Sequence, residues 1–207
     1  MPGRPRSIQA IAKELRLNDL VANRTMSREM AATLRDVARA RRSFIVVAVP
    51  RLAGKSTVLR AILAERPASA PVTTLAEDGD VVDDLLKKSV GGYLVIPEIT
   101  QSAAMPGYIW GVDVRRIFKS TKEGVSLAAT LHAEGPDDAF AQICKGCGVP
   151  DADAAKIEFA VYLRSIGRWE EPARRVVQSV HEIEGVRDGK PRLKLLHQWD
   201  EQRDRFS

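Results

Sequence analysis

Six apolar residues in unbroken succession, Phe44-Ile45-Val46-Val47-Ala48-Val49, run straight into Pro50-Arg51-Leu52-Ala53-Gly54-Lys55-Ser56-Thr57. A helical pattern follows from Val58 to Glu65, with Leu59, Ile62 and Leu63 inward. An apolar run without alternation suits a strand covered on both faces, the environment of a central strand in a parallel sheet. Strand, glycine-bearing loop and helix in that order make a phosphate site a specific hypothesis. In such a loop, successive backbone N–H groups and the helix N-terminus wrap a phosphate. Pro50, Arg51, Leu52, Ala53, Gly54, Lys55, Ser56 and Thr57 are therefore the candidate phosphate-binding residues, with Lys55 expected to face solvent until a phosphate arrives. Lys55 then reaches the β- and γ-phosphates and the Ser56 hydroxyl ligates Mg²⁺. The bland alternative is an ordinary strand-to-helix turn with an exposed lysine. Val49 stands where the full glycine-lysine pattern has its first glycine; if that position needs positive φ, the loop's entry is strained, and otherwise the loop takes another path around Pro50.

The rest of the chain alternates in the same way. Further strands are expected at Val72–Leu75, Tyr93–Ile96, Val125–Leu131 and Ile157–Ile166. Helical patterns lie between them at Val81–Lys88, Val112–Ser120 and Pro136–Ile143. Strands alternating with helices imply an α/β fold with a mostly parallel sheet flanked by helices on both faces. Arg174–Ile183 and Arg192–His197 flank Gly185-Val186-Arg187-Asp188-Gly189, which predicts a C-terminal β-hairpin. Upstream, Ile8–Leu17 has helical spacing with Asn18-Asp19 to end it, and Arg28–Ala40 reads as a helix capped by Ser27. We expect residues 1–24 to form a short basic leader with a helix and residues 25–207 one domain.

Two more strand ends carry chemistry. Tyr93-Leu94-Val95-Ile96-Pro97-Glu98 finishes on a carboxylate, at the sheet edge where open α/β sheets bind ligands. Glu98 would hold Mg²⁺ or polarise an attacking water, a lone surface glutamate being the alternative. Ala129-Thr130-Leu131-His132-Ala133 brings an imidazole to the same edge, where a hydrogen-bonded structural histidine is the commoner use.

Composition excludes several classes. Hydrophobic residues at 44% and charged residues at 29% of 207 describe a chain able to bury one core rather than a disordered one. No apolar run approaches a membrane span, and the basic start is not followed by a signal-peptide core, so a cytoplasmic place is expected. The net charge of +5 is spread along the chain rather than focused, which argues against direct nucleic-acid binding. Cys144-Lys145-Gly146-Cys147 lacks a nearby second pair to complete a zinc tetrahedron and reads as a reduced structural pair.

Taken together, these motifs resemble the traffic ATPases of type II and type IV secretion, pili and conjugation. The resemblance rests on Thr25-Met26-Ser27-Arg28-Glu29-Met30 leading into a helix, Val49–Thr57 as Walker A, and Thr74-Leu75-Ala76-Glu77-Asp78 as the Asp box. It continues with Ile96-Pro97-Glu98 as Walker B, Ala129–Ala133 followed by Pro136-Asp137-Asp138-Ala139 as the His box, and Arg174-Arg175-Val176 opening the terminal hairpin. It implies a RecA-like P-loop NTPase core that uses ATP and Mg²⁺. Glu98 is then the Walker B acid, Glu77 the Asp-box carboxylate that helps activate water, and His132 a sensor of the γ-phosphate or of a neighbouring subunit. It also implies a homo-oligomeric ring, a hexamer in the family, peripheral at the inner face of a membrane with secretion or pilus components as partners. The N-terminal domain that usually precedes this core is expected to be missing or reduced to the leader. Pro97 stands where the family usually has glycine, Thr100 where it often has arginine, and Lys122-Glu123 where Gly-His often precedes the His box. With Val49, these departures keep open a relative that has lost hydrolysis and serves in assembly.

Overall fold

The computed structural model describes residues 14–49, 53–76, 82–102, 105–121, 124–168 and 171–207. Strands β1 (Phe44–Val49), β2 (Val72–Thr74), β3 (Tyr93–Ile99), β4 (Tyr108–Ile109), β5 (Ser126–His132), β6 (Phe159–Gly167), β7 (Pro172–Arg187), β8 (Lys190–Asp200) and β9 (Arg205–Phe206) form one sheet. Its order is β2-β3-β5-β1-β6-β7-β8-β9, with β4 beside β3. Pairing is parallel from β2 through β6, and antiparallel from β6 onward, where β7 and β8 make the C-terminal hairpin. The α/β architecture with a mostly parallel sheet is therefore the one the sequence predicts.

Strand β1 has parallel neighbours on both sides, Ala48 pairing with His132 of β5 and with Leu163 of β6. Its side chains alternate between two cores, as a period of two requires. Phe44, Val46 and Ala48 pack with helices α1 (Leu17–Ala22), α2 (Arg28–Arg39) and α3 (Lys55–Leu63). Ile45 and Val47 pack on the other face with α4 (Val82–Ser89), α5 (Val112–Ser120), α6 (Pro136–Ala141) and α7 (Asp151–Ala154). Both faces of the run are dry, which is why it shows no polar alternation.

Local chemistry sets the element ends. Ser27 caps α2, its hydroxyl accepting the Met30 N–H at 3.1 Å. The expected helix Ile8–Leu17 lies mostly outside the described residues, and its stop signal is corrected: Asn18-Asp19 lie in the first turn of α1. There the Asp19 carboxylate accepts the Arg16 N–H at 2.8 Å, since an acidic side chain suits a helix start. The helix expected over Pro136–Ile143 gives way after Ala141 to a π-helical turn, Gln142–Gly146, closed by Cys147 N–H on the Gln142 carbonyl at 2.9 Å. Cys144 and Cys147 are unbridged thiols. The hairpin turns on Asp188-Gly189, both at positive φ (54° and 73°), the backbone that a two-residue type I′ turn demands.

Candidate functional site

The carboxyl ends of β1, β3 and β5 open into a cleft of about 850 Å³, bounded on the far side by Asn23, Thr25 and the start of β7. Its floor is the N-terminus of α3. Gly54 caps that helix at φ +96°, a conformation L-residues rarely adopt, and a Cβ there would stand 3.2 Å from Arg175 Cδ. The backbone conformation selects glycine, whereas the contact asks only that the Arg175 side chain give by a few tenths of an ångström. Ser56 and Thr57 line the cleft, Ser56 exposed to it. Pro50, Arg51 and Leu52 lie outside the described residues, as do Glu77 and Asp78 of the acidic motif. Val49 is the last residue of β1, paired with Arg164 of β6, and its φ is not positive. The strained-entry reading of Val49 is thus corrected: the strand carries it in an extended form that a β-branched residue favours.

Lys55 is not solvent-facing as expected. Its side chain is only 8% exposed, with Nζ 2.8 Å from His132 Nδ1 and 3.4 Å from Glu98 Oε2. An ammonium group has donors only, so Nδ1 accepts and the neutral ring carries its proton on Nε2. Two charges buried together are stable only with good mutual geometry, and Lys55 turns inward to a Glu98 carboxylate that is itself only 13% exposed. The register explains how His132 arrives: it pairs with Ala48 near the end of β1, the strand that precedes α3 and Lys55.

Glu98 reaches the same point through an irregularity in β3. Ile96 pairs with Ala129 and Ile99 with Leu131, so Pro97 and Glu98 together oppose Thr130. That is a β-bulge, and proline, which has no N–H for the ladder, is one of the residues that tolerates it. The Thr130 hydroxyl lies within hydrogen-bond reach of the Pro97 carbonyl and stands 3.0 Å from Glu98 Oε2. His132 is also braced, its carbonyl accepting the Gln142 side-chain amide at 2.9 Å.

The sequence reading did not place Arg174, Arg175 or Thr130 in the site. Arg174 and Arg175 line the cleft. Arg174 donates to Asp204 Oδ1 at 2.6 Å and to the Arg24 carbonyl at 2.8 Å, and lies over the Trp199 ring at 5.6 Å. Arg24 and the Trp199 indole N–H also bond Asp204, at 2.6 and 2.9 Å. One carboxylate thus ties the wall around Asn23–Thr25 to β7 and to the C-terminal turn. The doublet of arginines at a strand start was the available signal; nothing in the sequence marks Asp204.

A hydroxyl and a carboxylate, Ser56 and Glu98, are all-oxygen donors beside a helix N-terminus. No group of three or more His, Cys, Asp or Glu side chains that could hold a metal gathers among the described residues. Those residues fit an ion that keeps most of its water and arrives with phosphate, as Mg²⁺ does.

No family model matches the sequence, and no curated protein does. Among solved structures, the VirB11 ATPase of the Brucella suis type IV secretion system, determined with sulphate, matches 86% of this chain and 59% of its own, with TM-score 0.55 and 15% identity. The ATPase DotB matches at TM-score 0.47, over 70% of this chain and 46% of its own for Legionella pneumophila (13% identity) and over 78% and 47% for Yersinia pseudotuberculosis (12% identity). This chain spans less than two thirds of the length of each. What it shares with the VirB11 ATPase of a type IV secretion system is the fold.

Proposed function

We propose that this chain binds ATP with Mg²⁺ in the cleft and hydrolyses it as a RecA-like motor subunit of a secretion, conjugation or pilus-type machine. The observation that carries the reading is the meeting of Lys55, Glu98 and His132 within one cleft at the N-terminus of α3. The first residue of α3 and the ends of β3 and β5, far apart in sequence, supply a cation, a carboxylate and an imidazole where the helix dipole favours an anion. Phosphate entering the cleft competes with Glu98 and His132 for Lys55, which swings to it as a point charge. Ser56 and Glu98 are the residues that would hold Mg²⁺, which supplies charge neutralisation of the phosphates. Glu98, freed from Lys55, orients water, and Glu77 supports it. His132 reads whether Lys55 has left. Arg175, beside Gly54, adds positive charge to the phosphate side. In this reading the subunits assemble as a ring, hexameric by the resemblance, beside a membrane on its cytoplasmic side; among the described residues no helix is long and apolar enough to cross one. In this reading residues 25–207 are the motor domain, and α1 from the leader before it packs into the same core.

A second reading, a relative with or without bound nucleotide that has lost hydrolysis and serves in assembly, is favoured by one observation. Lys55 is engaged by the very groups that should serve phosphate and water.

Titrating ATP with and without Mg²⁺, then measuring phosphate release on the same sample, separates the two. Release supports the motor; binding without release supports the assembly protein; no binding sinks the motor and leaves the nucleotide-free form of the assembly protein. Lys55→Ala should weaken ATP binding roughly 10- to 100-fold, since a charge-assisted contact contributes about 1.5–3 kcal/mol. Glu98→Gln should keep binding and slow release. Melting curves on both variants establish that they fold.

A further inference from the structure

We propose that Thr130 is the positioning residue of the hydrolytic site: its hydroxyl holds the Pro97–Glu98 bulge in the shape that aims the Glu98 carboxylate at Lys55. The proposal rests on the reading of Glu98 given above. Thr130 lies in mid-strand on β5, between β1 and β3, and is 1% exposed. On its own face of the sheet, Val46, its register partner on β1, and Ala128, two residues back on β5, are apolar. A hydroxyl buried in such surroundings is costly unless it is bonded. Both of its acceptors belong to the bulge, the Pro97 carbonyl and Glu98 Oε2, the latter at 3.0 Å.

The geometry makes the pairing more than local packing. On the β5 side two residues of β3 oppose one, so that ladder leaves Pro97 and Glu98 out of step, while on the other edge Glu98 pairs only with Tyr108 of the two-residue strand β4. Proline removes the N–H that would otherwise help. The hydroxyl has one proton and shares it between a main-chain and a side-chain oxygen of adjacent residues. It therefore couples the path of the bulge to the rotamer of Glu98. When Lys55 leaves for phosphate, that contact helps keep Glu98 from following it or relaxing toward solvent. Thr130 touches neither nucleotide nor water in this account; it acts through Glu98.

The test compares Thr130→Val, which keeps the shape and deletes the hydroxyl, with Thr130→Ser, which keeps the hydroxyl, on the full chain. ATP affinity, steady-state phosphate release and melting temperature are measured for both, and Thr130→Val is also placed in the Glu98→Gln background. We expect Thr130→Val to lower kcat roughly 10- to 100-fold, the usual effect of losing a partner behind a reacting group, with ATP affinity unchanged. Ser should restore most of the rate, and in Glu98→Gln the valine should cost nothing further. Turnover of Thr130→Val equal to wild type, while Glu98→Gln is slow, overturns the positioning role and leaves the role of Glu98 standing. So does a loss of affinity and rate together that Ser does not restore, or a further loss in the Glu98→Gln background. Equal release from wild type and Glu98→Gln, or none from the wild type, removes the reading of Glu98 and this proposal with it.

Discussion

Cys144 shows how little a cysteine spacing says until burial is known. Its thiol is pushed up to about 11, first by burial and then by Asp151 and Cys147 nearby. Cys147 is raised too, chiefly by burial, against a Gly111 backbone hydrogen bond and Arg115. At pH 8 about one Cys144 thiol in a thousand is ionised, so iodoacetamide followed by mass spectrometry should label neither cysteine appreciably until denaturant is added. Val49 makes a second residue-scale case. Because it already sits in extended backbone, Val49→Gly relieves nothing; it should lower stability by about 1 kcal/mol and leave ATP affinity no tighter, read by melting and titration on the pair. Gly54 and Lys55 were legible as candidates because they open a helix just after an apolar strand, and Glu98 and His132 because each is an unusual residue type near the end of one. What they touch was not legible. The inward turn of Lys55 depends on the parallel register of β1 with β5 and on a bulge in β3, and neither has a signature in the one-dimensional pattern.

Elements were readable in proportion to their length. The helix at Val112–Ser120 falls where its periodicity puts it, whereas β4, β9 and α7 are two to four residues long and carry no period to detect. Helix α6 shows the other failure: apolar spacing continues to Ile143, but the backbone widens into a π-turn once the Gln142 side chain turns to the His132 carbonyl. The hairpin was legible from Asp188-Gly189, yet its anchorage was not. The Asp151 carboxylate accepts the Asp188 N–H at 2.7 Å and the Gly189 N–H at 3.0 Å, pinning the tip to the start of α7. Asp151→Ala should therefore cost about 1–3 kcal/mol, seen as a lower denaturation midpoint. In hydrogen exchange, the tip should lose protection while the middle of β7 keeps it.

For the molecule as a whole, acid should unfold it in two stages. His181 has its pKa lowered from 6.5, chiefly by burial, so the folded state prefers the neutral ring. Its contribution is full above pH 6.5 and fades as the pH falls through the lower folded value. Asp204 is lowered from 3.8, first by its hydrogen bond from Arg174 and then by that from Trp199, and Glu29 from 4.5, first by a backbone hydrogen bond and then by one with Ser27. Those contributions are present above the unfolded values and are lost below them. Melting temperature against pH should decline first below 6.5, a step that His181→Gln removes, and again below 4, a step that Asp204→Asn reduces. The position of β1 in the sheet also has a consequence for how the chain is made. Its first register partners, Ala128 and Phe159 opposite Phe44, and the bonds of Ser43 just before it to Leu127 and Glu158, all lie 84 and 115 residues on in sequence. At roughly 5–20 residues per second of synthesis, an apolar six-residue strand waits on the order of 4 to 20 seconds for partners on the ribosome. A nascent chain arrested before Ser126 would present that strand bare on both edges, an invitation to cross-chain pairing. Ribosome-bound fragments ending at 125 should accordingly recruit chaperones and pellet on release, whereas those extended past Gly167 should stay in solution.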